Sequence, residues 1–197
     1  AKADRFGPGG SGFFIGFSPS YNPKIGSESD LNSSISSSFD FGFRFGIGEV
    51  GLRMGSGTVD GGTIKDSDGA VLRTVTDGKH TLYELFGKVY FPVNAPAEGR
   101  PGSQFLIPLH MGMYMNNVQF EKLYGNMGMT LGTGGQFRYY TGSHIVFDLT
   151  GLYTFGLPYW PIQNNAAEIE TFYNAKNEKA AGSLQGFELR IGLTILF

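Results

Sequence analysis

Between Phe39 and Ile47 the chain alternates without a break: Phe39, Phe41, Phe43, Phe45 and Ile47 are interleaved with Asp40, Gly42, Arg44 and Gly46. A period of two is the mark of a β-strand with one apolar and one polar face. On a water-soluble sheet, four phenylalanines left on an exposed face would drive edge-to-edge association and aggregation. A sheet closed into a barrel inside a bilayer reverses the requirement: the apolar face meets lipid and the polar face lines the interior. The reading depends on whether the rest of the chain keeps the same face code.

It does. Phe187, Leu189, Ile191, Leu193, Ile195 and Phe197 alternate with Glu188, Arg190, Gly192 and Thr194 at the end of the chain. Phe13, Ile15 and Phe17 form the apolar face of a first strand, opposite Phe14, Gly16, Ser18 and Ser20. After the phenylalanine strand, Gly48-Glu49 reads as a two-residue hairpin turn with Gly in the first central position. The chain then returns with Val50, Leu52 and Met54 outward and Gly51, Arg53 and Gly55 inward. A fourth strand over about 81–91 puts Tyr83, Leu85, Val89 and Phe91 outside, with Glu84, Phe86, Lys88 and Tyr90 inside. A fifth over 104–115 puts Phe105, Ile107, Leu109, Met111, Met113 and Met115 outside and Gln104, His110, Gly112 and Tyr114 inside. Pro108 removes a ladder donor there, so a bulge or kink is expected beside it. The sixth, 127–139, turns Met129, Leu131, Phe137 and Tyr139 out and Thr130, Gln136 and Arg138 in. The seventh, 144–155, turns Ile145, Phe147, Leu149, Tyr153 and Phe155 out and Asp148, Thr150 and Thr154 in.

The expected fold is therefore all-β: one domain over 1–197, an eight-stranded antiparallel up-and-down transmembrane barrel. Connections after strands one, three, five and seven (about 22–37, 56–79, 116–126 and 156–182) are long, and those after strands two, four and six are short. Transmembrane barrels have long extracellular loops and short periplasmic turns. Both termini, including a tail over 1–11, then fall on the periplasmic side. Within 56–79, the segments 63–65 and 70–75 flank a turn and read as a hairpin extending past the membrane.

Composition agrees. Aromatics are 15% of the chain and charged residues only 16%, with 31 glycines and no cysteine. Disulfides and thiolate metal sites are excluded. No apolar run reaches 18 residues, so a transmembrane helix is excluded, which leaves a barrel open. A net charge of −2 implies no general affinity for nucleic acid. The chain begins with Ala1, which fits export with a cleaved signal peptide.

The face code, the alternation of loop lengths and the closing strand that ends on Phe197 resemble the small eight-stranded bacterial outer-membrane proteins of the OmpA transmembrane-domain and OmpW type. The resemblance implies a Gram-negative outer-membrane location and contact with outer-membrane lipid and lipopolysaccharide. It also implies insertion by the barrel assembly machinery, which reads a terminal aromatic strand as its signal.

The inward positions gather a charge network: Asp40, Arg44, Arg53, Glu84, Lys88, His110, Arg138, Asp148, Glu188 and Arg190. Eight strands leave a lumen just wide enough for side chains. Buried charges must be paired, so the expected function is non-enzymatic: a plugged barrel with a structural or partner-docking role through its loops. The alternative is a narrow channel for small or apolar solutes, opened when pairs switch. With the turn at Gly48-Glu49, Arg44 would lie opposite Arg53, both clamped by Glu84 or Glu188, while Glu49 would sit in solvent.

A third possibility is an enzyme acting on lipid A, as in some barrels of this size. It would need His80 with Glu84 and a serine, but Ser37 and Ser38 come from another strand, His144 is on the periplasmic side and His110 is mid-barrel. The glycine clusters (Gly55 and Gly57; Gly132, Gly134 and Gly135) lack the Lys and strand-to-helix context of a phosphate loop. No cofactor or metal is expected. In the last loop, Tyr159 and Trp160 precede a stretch of helical spacing, 165–182, with Ile169, Phe172 and Tyr173 on one face. These five residues are candidates for an interfacial anchor or a protein partner.

Overall fold

The computed structural model describes residues 10–22, 34–59, 62–65, 71–75, 78–94, 101–119, 123–156, 160–161 and 186–197. Eight long strands close a barrel: β1 (Ser11–Asn22), β2 (Ser34–Phe45), β3 (Gly48–Val59), β6 (Gly78–Pro92), β7 (Gly102–Gln119), β8 (Leu123–Tyr140), β9 (Ile145–Gly156) and β11 (Gly186–Leu196). Two short strands, β4 (Gly62–Lys65) and β5 (Val71–Val75), form a separate hairpin, and β10 (Trp160–Pro161) pairs with β8. Each barrel strand pairs antiparallel with the next in the chain, and β11 closes the ring between β9 and β1. The end of β11 is pinned at both edges. Leu196 N donates to His144 O at 2.7 Å, and Phe197 N donates to Phe13 O at 2.8 Å.

The face code is visible residue by residue. The outward phenylalanines of β2, the alternate apolar residues of β7 and Leu189, Ile191, Leu193 and Ile195 of β11 are exposed, whereas Phe14, Phe86, Tyr90, Leu106, Tyr114, Tyr140, Val146, Leu152 and Leu196 are buried inside. Outward aromatics meet across strands: Phe13 lies 5.3 Å from Phe43, Phe17 5.1 Å from Phe39, and Phe105 5.1 Å from Phe137, centroid to centroid. Each is a directly opposed pair in the ladder, worth about 0.2–1 kcal/mol over Ala–Ala.

Three expectations are corrected. The β2–β3 turn is Gly46-Ile47, not Gly48-Glu49: Phe45 pairs with Gly48, Arg44 with Glu49 and Asp40 with Arg53. Gly46 has φ +58°, the left-handed value that primed hairpin turns require at the first central position. This register sets each arginine opposite a carboxylate, where the expected one set arginine against arginine. Second, Pro108 causes no bulge. The β7–β8 register is the same on both sides of it, and the ladder merely lapses at Ile107 and Pro108. Third, the strands run into the expected loops. β2 begins at Ser34, β3 reaches Val59, β7 reaches Gln119 and β8 starts at Leu123, so the 116–126 loop is mostly ladder. Among the described residues the β8–β9 pairing runs as far as Thr130–Gly156 and β10 pairs with β8 at Met127 and Asn126, while the β7–β8 ladder continues to Gln119–Leu123.

Candidate functional site: the charged lumen

The inward faces of eight strands meet in a lumen packed with side chains, in three levels. At the turn end, Phe14, Tyr140, Val146 and Leu196 form an apolar floor in contact with Phe86. Above it, Arg138 links three elements. Its Nε donates to Asp148 Oδ1 at 2.7 Å and its Nη1 to Glu49 Oε1 at 3.1 Å. Tyr90 Oη donates to the other Glu49 oxygen at 2.7 Å, and Gln136 Nε2 to Asp148 at 2.7 Å. The Arg138 guanidinium also lies 4.7 Å from the Tyr90 ring centroid. Arg44 joins through Tyr140, donating to its Oη at 2.9 Å, and Tyr140 passes a hydrogen bond to Gln104 at 3.2 Å.

The next level is centred on Arg53. Its Nε and Nη2 fork onto the two oxygens of Asp40 at 2.8 and 2.9 Å, and its Nη1 donates to Glu84 Oε2 at 2.9 Å. Such a fork is the strong geometry for a guanidinium and a carboxylate. Glu84 Oε1 also meets His110 Nε2 at 2.8 Å and accepts from Thr130 at 3.2 Å. Gly112 makes room for this carboxylate, because a Cβ there would run into Glu84 Oε1. The Phe86 ring is faced by two cations, Arg53 at 5.1 Å and Lys88 at 4.6 Å. Towards the open end, Arg190 holds Glu188, two residues away on the same strand, at 2.8 Å. Ser20 and Ser36 share a hydrogen bond of 2.7 Å.

All ten of the sequence-derived network residues are on this inner side, but they do not form one cluster. Arg53, Asp40, Glu84 and His110 form one group, Arg138 and Asp148 another, and Arg190 pairs with Glu188. Arg44 is bound to Tyr140 and not to the Arg53 group, a consequence of the register. Glu49 is the lumen-network residue missed. It is buried and ion-paired to Arg138, not solvated. The signal for it was parity, since Glu49 shares the inward parity of Gly51 and Arg53. With Glu49 included, Asp40, Glu49, Glu84, Asp148 and Glu188 balance Arg44, Arg53, Lys88, Arg138 and Arg190, five against five.

Between the levels lies a cavity of about 40 Å³, touched by Asp40, Glu49, Lys88, His110, Arg138 and Arg190. That is room for a few waters. His110, one of its lining residues, has a buried Nδ1 with no hydrogen-bond partner among the described residues.

Glu84 is buried in the Arg53 group, and Ser38 is buried beneath Ser18 while Ser37 faces out. His80 lies in β6 opposite Gly57, and His144 sits at the closing turn with Nδ1 2.7 Å from Leu196 O. Of the loop candidates, Trp160 lies in β10, paired with Met127. Tyr159, Ile169, Phe172 and Tyr173 fall outside the described residues, as does the 165–182 segment.

Among solved structures, the crystal structure of Neisserial surface protein A is similar over 95% of this chain and 99% of its own length, with a TM-score of 0.52 at 10% identity. The fold is that of a small outer-membrane barrel. The N-terminal β-barrel domain of Pseudomonas aeruginosa OprF is also similar, covering 93% of this chain and 97% of that one, with a TM-score of 0.45 and 10% identity. No protein-family model and no curated protein matches the chain.

Proposed function

We propose that this chain is a non-enzymatic protein of the bacterial outer membrane whose lumen is plugged by its own side chains, and that it acts structurally or by docking a partner at its extracellular end. The observation that carries the reading is the filled lumen. An apolar floor, two arginine-centred levels and the Arg190–Glu188 pair occupy the described lumen, with a cavity of about 40 Å³ between them. The exposed phenylalanine and aliphatic belt supports a lipid setting, because water would penalise so large an apolar surface. The tall β7–β8 hairpin, with Trp160 paired against it, supports a docking role at that end.

Planar-bilayer recording with the purified protein is the test. A plugged lumen gives small, rare openings, and replacing Arg190 with Ala raises them or destabilises the barrel. Steady, large conductance from the unmodified protein would refute the plug and favour the channel. In cells, His80→Ala leaves lipid A unchanged. A His80-dependent mass change in lipid A would instead reveal an enzyme.

A further inference from the structure

The chain has six methionines, and all of them fall on three strands: Met54 on β3, Met111, Met113 and Met115 on β7, and Met127 and Met129 on β8. Along the outward faces of β1, β2, β9 and β11 the large apolar residues are Phe, Ile, Leu and Tyr, with no Met. Lipid does not require this, since leucine would face acyl chains as well. The ladder draws the methionines together. Met113 pairs directly with Met129, and Met115 with Met127, while Tyr83 lies between Met54 on one side and Met115 on the other. Directly opposed residues have Cβ atoms about 4.5–5.5 Å apart, within reach of converging thioethers. Met54, Met113, Met115 and Met129 with Tyr83 line a single open hollow of about 410 Å³ on the outer wall. All five side chains are exposed, from 37% for Met129 to 55% for Met113.

We propose that this hollow is a binding site for a soft monovalent cation, copper(I), held by the thioethers of Met113, Met115 and Met129. Thioether sulfur is a soft ligand that selects copper(I) over the hard cations of the medium. Methionine's three rotatable bonds allow the sulfurs to close on the ion. The exposed Tyr83 ring adds the face of an aromatic π-system, which attracts a cation within about 6 Å. Position makes the charge tolerable. The Tyr83–Met115 rung lies eight residues along the strand from the Phe91–Ile107 rung at the turn end. At ~3.3 Å per residue and a tilt of ~40° this is roughly 20 Å of height, near the outer rim of an apolar band about 25 Å tall. The site is thus reached from water at the extracellular side. Binding exchanges solvent ligands for thioethers and involves no redox step.

The test uses the full chain in detergent micelles, chloride-free, with methionine methyl groups labelled with ¹³C and silver(I) as a redox-inert probe of the same ligand preference. The expected result is saturation at one silver per chain. Methyl shifts are largest for Met113, Met115 and Met129, while Met111, outside the hollow, stays still. The double variant Met113→Leu with Met129→Leu keeps the apolar belt and the compact migration of unheated protein on a gel, yet binds at least tenfold more weakly. Met111→Leu binds as the parent does. Copper(I) delivered from a competing chelator then shows the same dependence. No binding, parallel unsaturable shifts of every methionine, or undiminished binding by the folded double variant would overturn the site.

Discussion

Glu49 shows how much depends on a single buried carboxylate. It accepts from Arg138 at 3.1 Å and from Tyr90 at 2.7 Å, and lies opposite Arg44 in the ladder. Losing one partner of a buried ion pair costs about 3–5 kcal/mol, because the other charge is stranded away from water. Glu49→Gln is therefore expected to lower stability about as much as Glu84→Gln, which weakens the bonds to Arg53 and His110. Urea titration of barrels folded in vesicles measures both. If Glu49→Gln is neutral while Glu84→Gln is not, Glu49 is solvated after all. Gly112→Ala belongs with them: its Cβ displaces Glu84, and overpacking of this kind costs about 1–3 kcal/mol.

At the level of elements, the β2–β3 hairpin separates what the sequence reveals from what it hides. Which residues face out depends only on parity, and a slip of two residues along each strand leaves parity untouched. Phe41 and Leu52 are therefore outward, and Asp40 and Arg53 inward, whichever turn is chosen. Register depends on the turn. Gly46-Ile47 and Gly48-Glu49 both offer Gly at the first central position, so turn chemistry alone does not choose between them. Charge does, since only the Gly46-Ile47 turn sets Asp40 opposite Arg53 and Glu49 opposite Arg44. Spin labels report the result. A pair at Phe43 and Val50 sits on directly opposed residues and broadens strongly. A pair at Phe45 and Leu52 is offset by four residues, roughly 13 Å along the strand, and broadens less. The reverse order would restore the other register. The partition of the lumen charges into separate groups was hidden for the same reason, as it follows from register and not from parity.

Over the whole molecule, the face code makes the outer belt a prediction about environment. Labels at Phe41, Leu52, Leu109 and Leu193, all exposed, are expected to be reached by lipid-soluble oxygen. Labels at the buried Ser38 and Thr154 are expected to be shielded from it. A reversed pattern would place the phenylalanine belt in water and remove the case for a membrane. Eight strands and their order were legible because the pattern repeats eight times. The reach of the β7–β8 ladder was not, because above the apolar belt the ladder continues through polar residues such as Asn116, Asn117 and Asn126, which carry no apolar alternation.

The bonds that cross the lumen join distant parts of the chain: Arg138 to Glu49 spans 89 positions, and Arg44 to Tyr140 spans 96. Both join β8 to β2 or β3, strands on facing walls, so each is expected to form only once the sheet has curled far enough to bring those walls together. These bonds act as a latch, made late and broken early. Contacts of such sequence separation slow folding, since a long loop must close before they reward it. An interaction absent from the transition state changes the rate of opening and leaves the rate of insertion nearly alone. Arg138→Met should then insert into vesicles at the parent's rate but unfold many times faster, so that the lumen governs how long the barrel lasts once it is made.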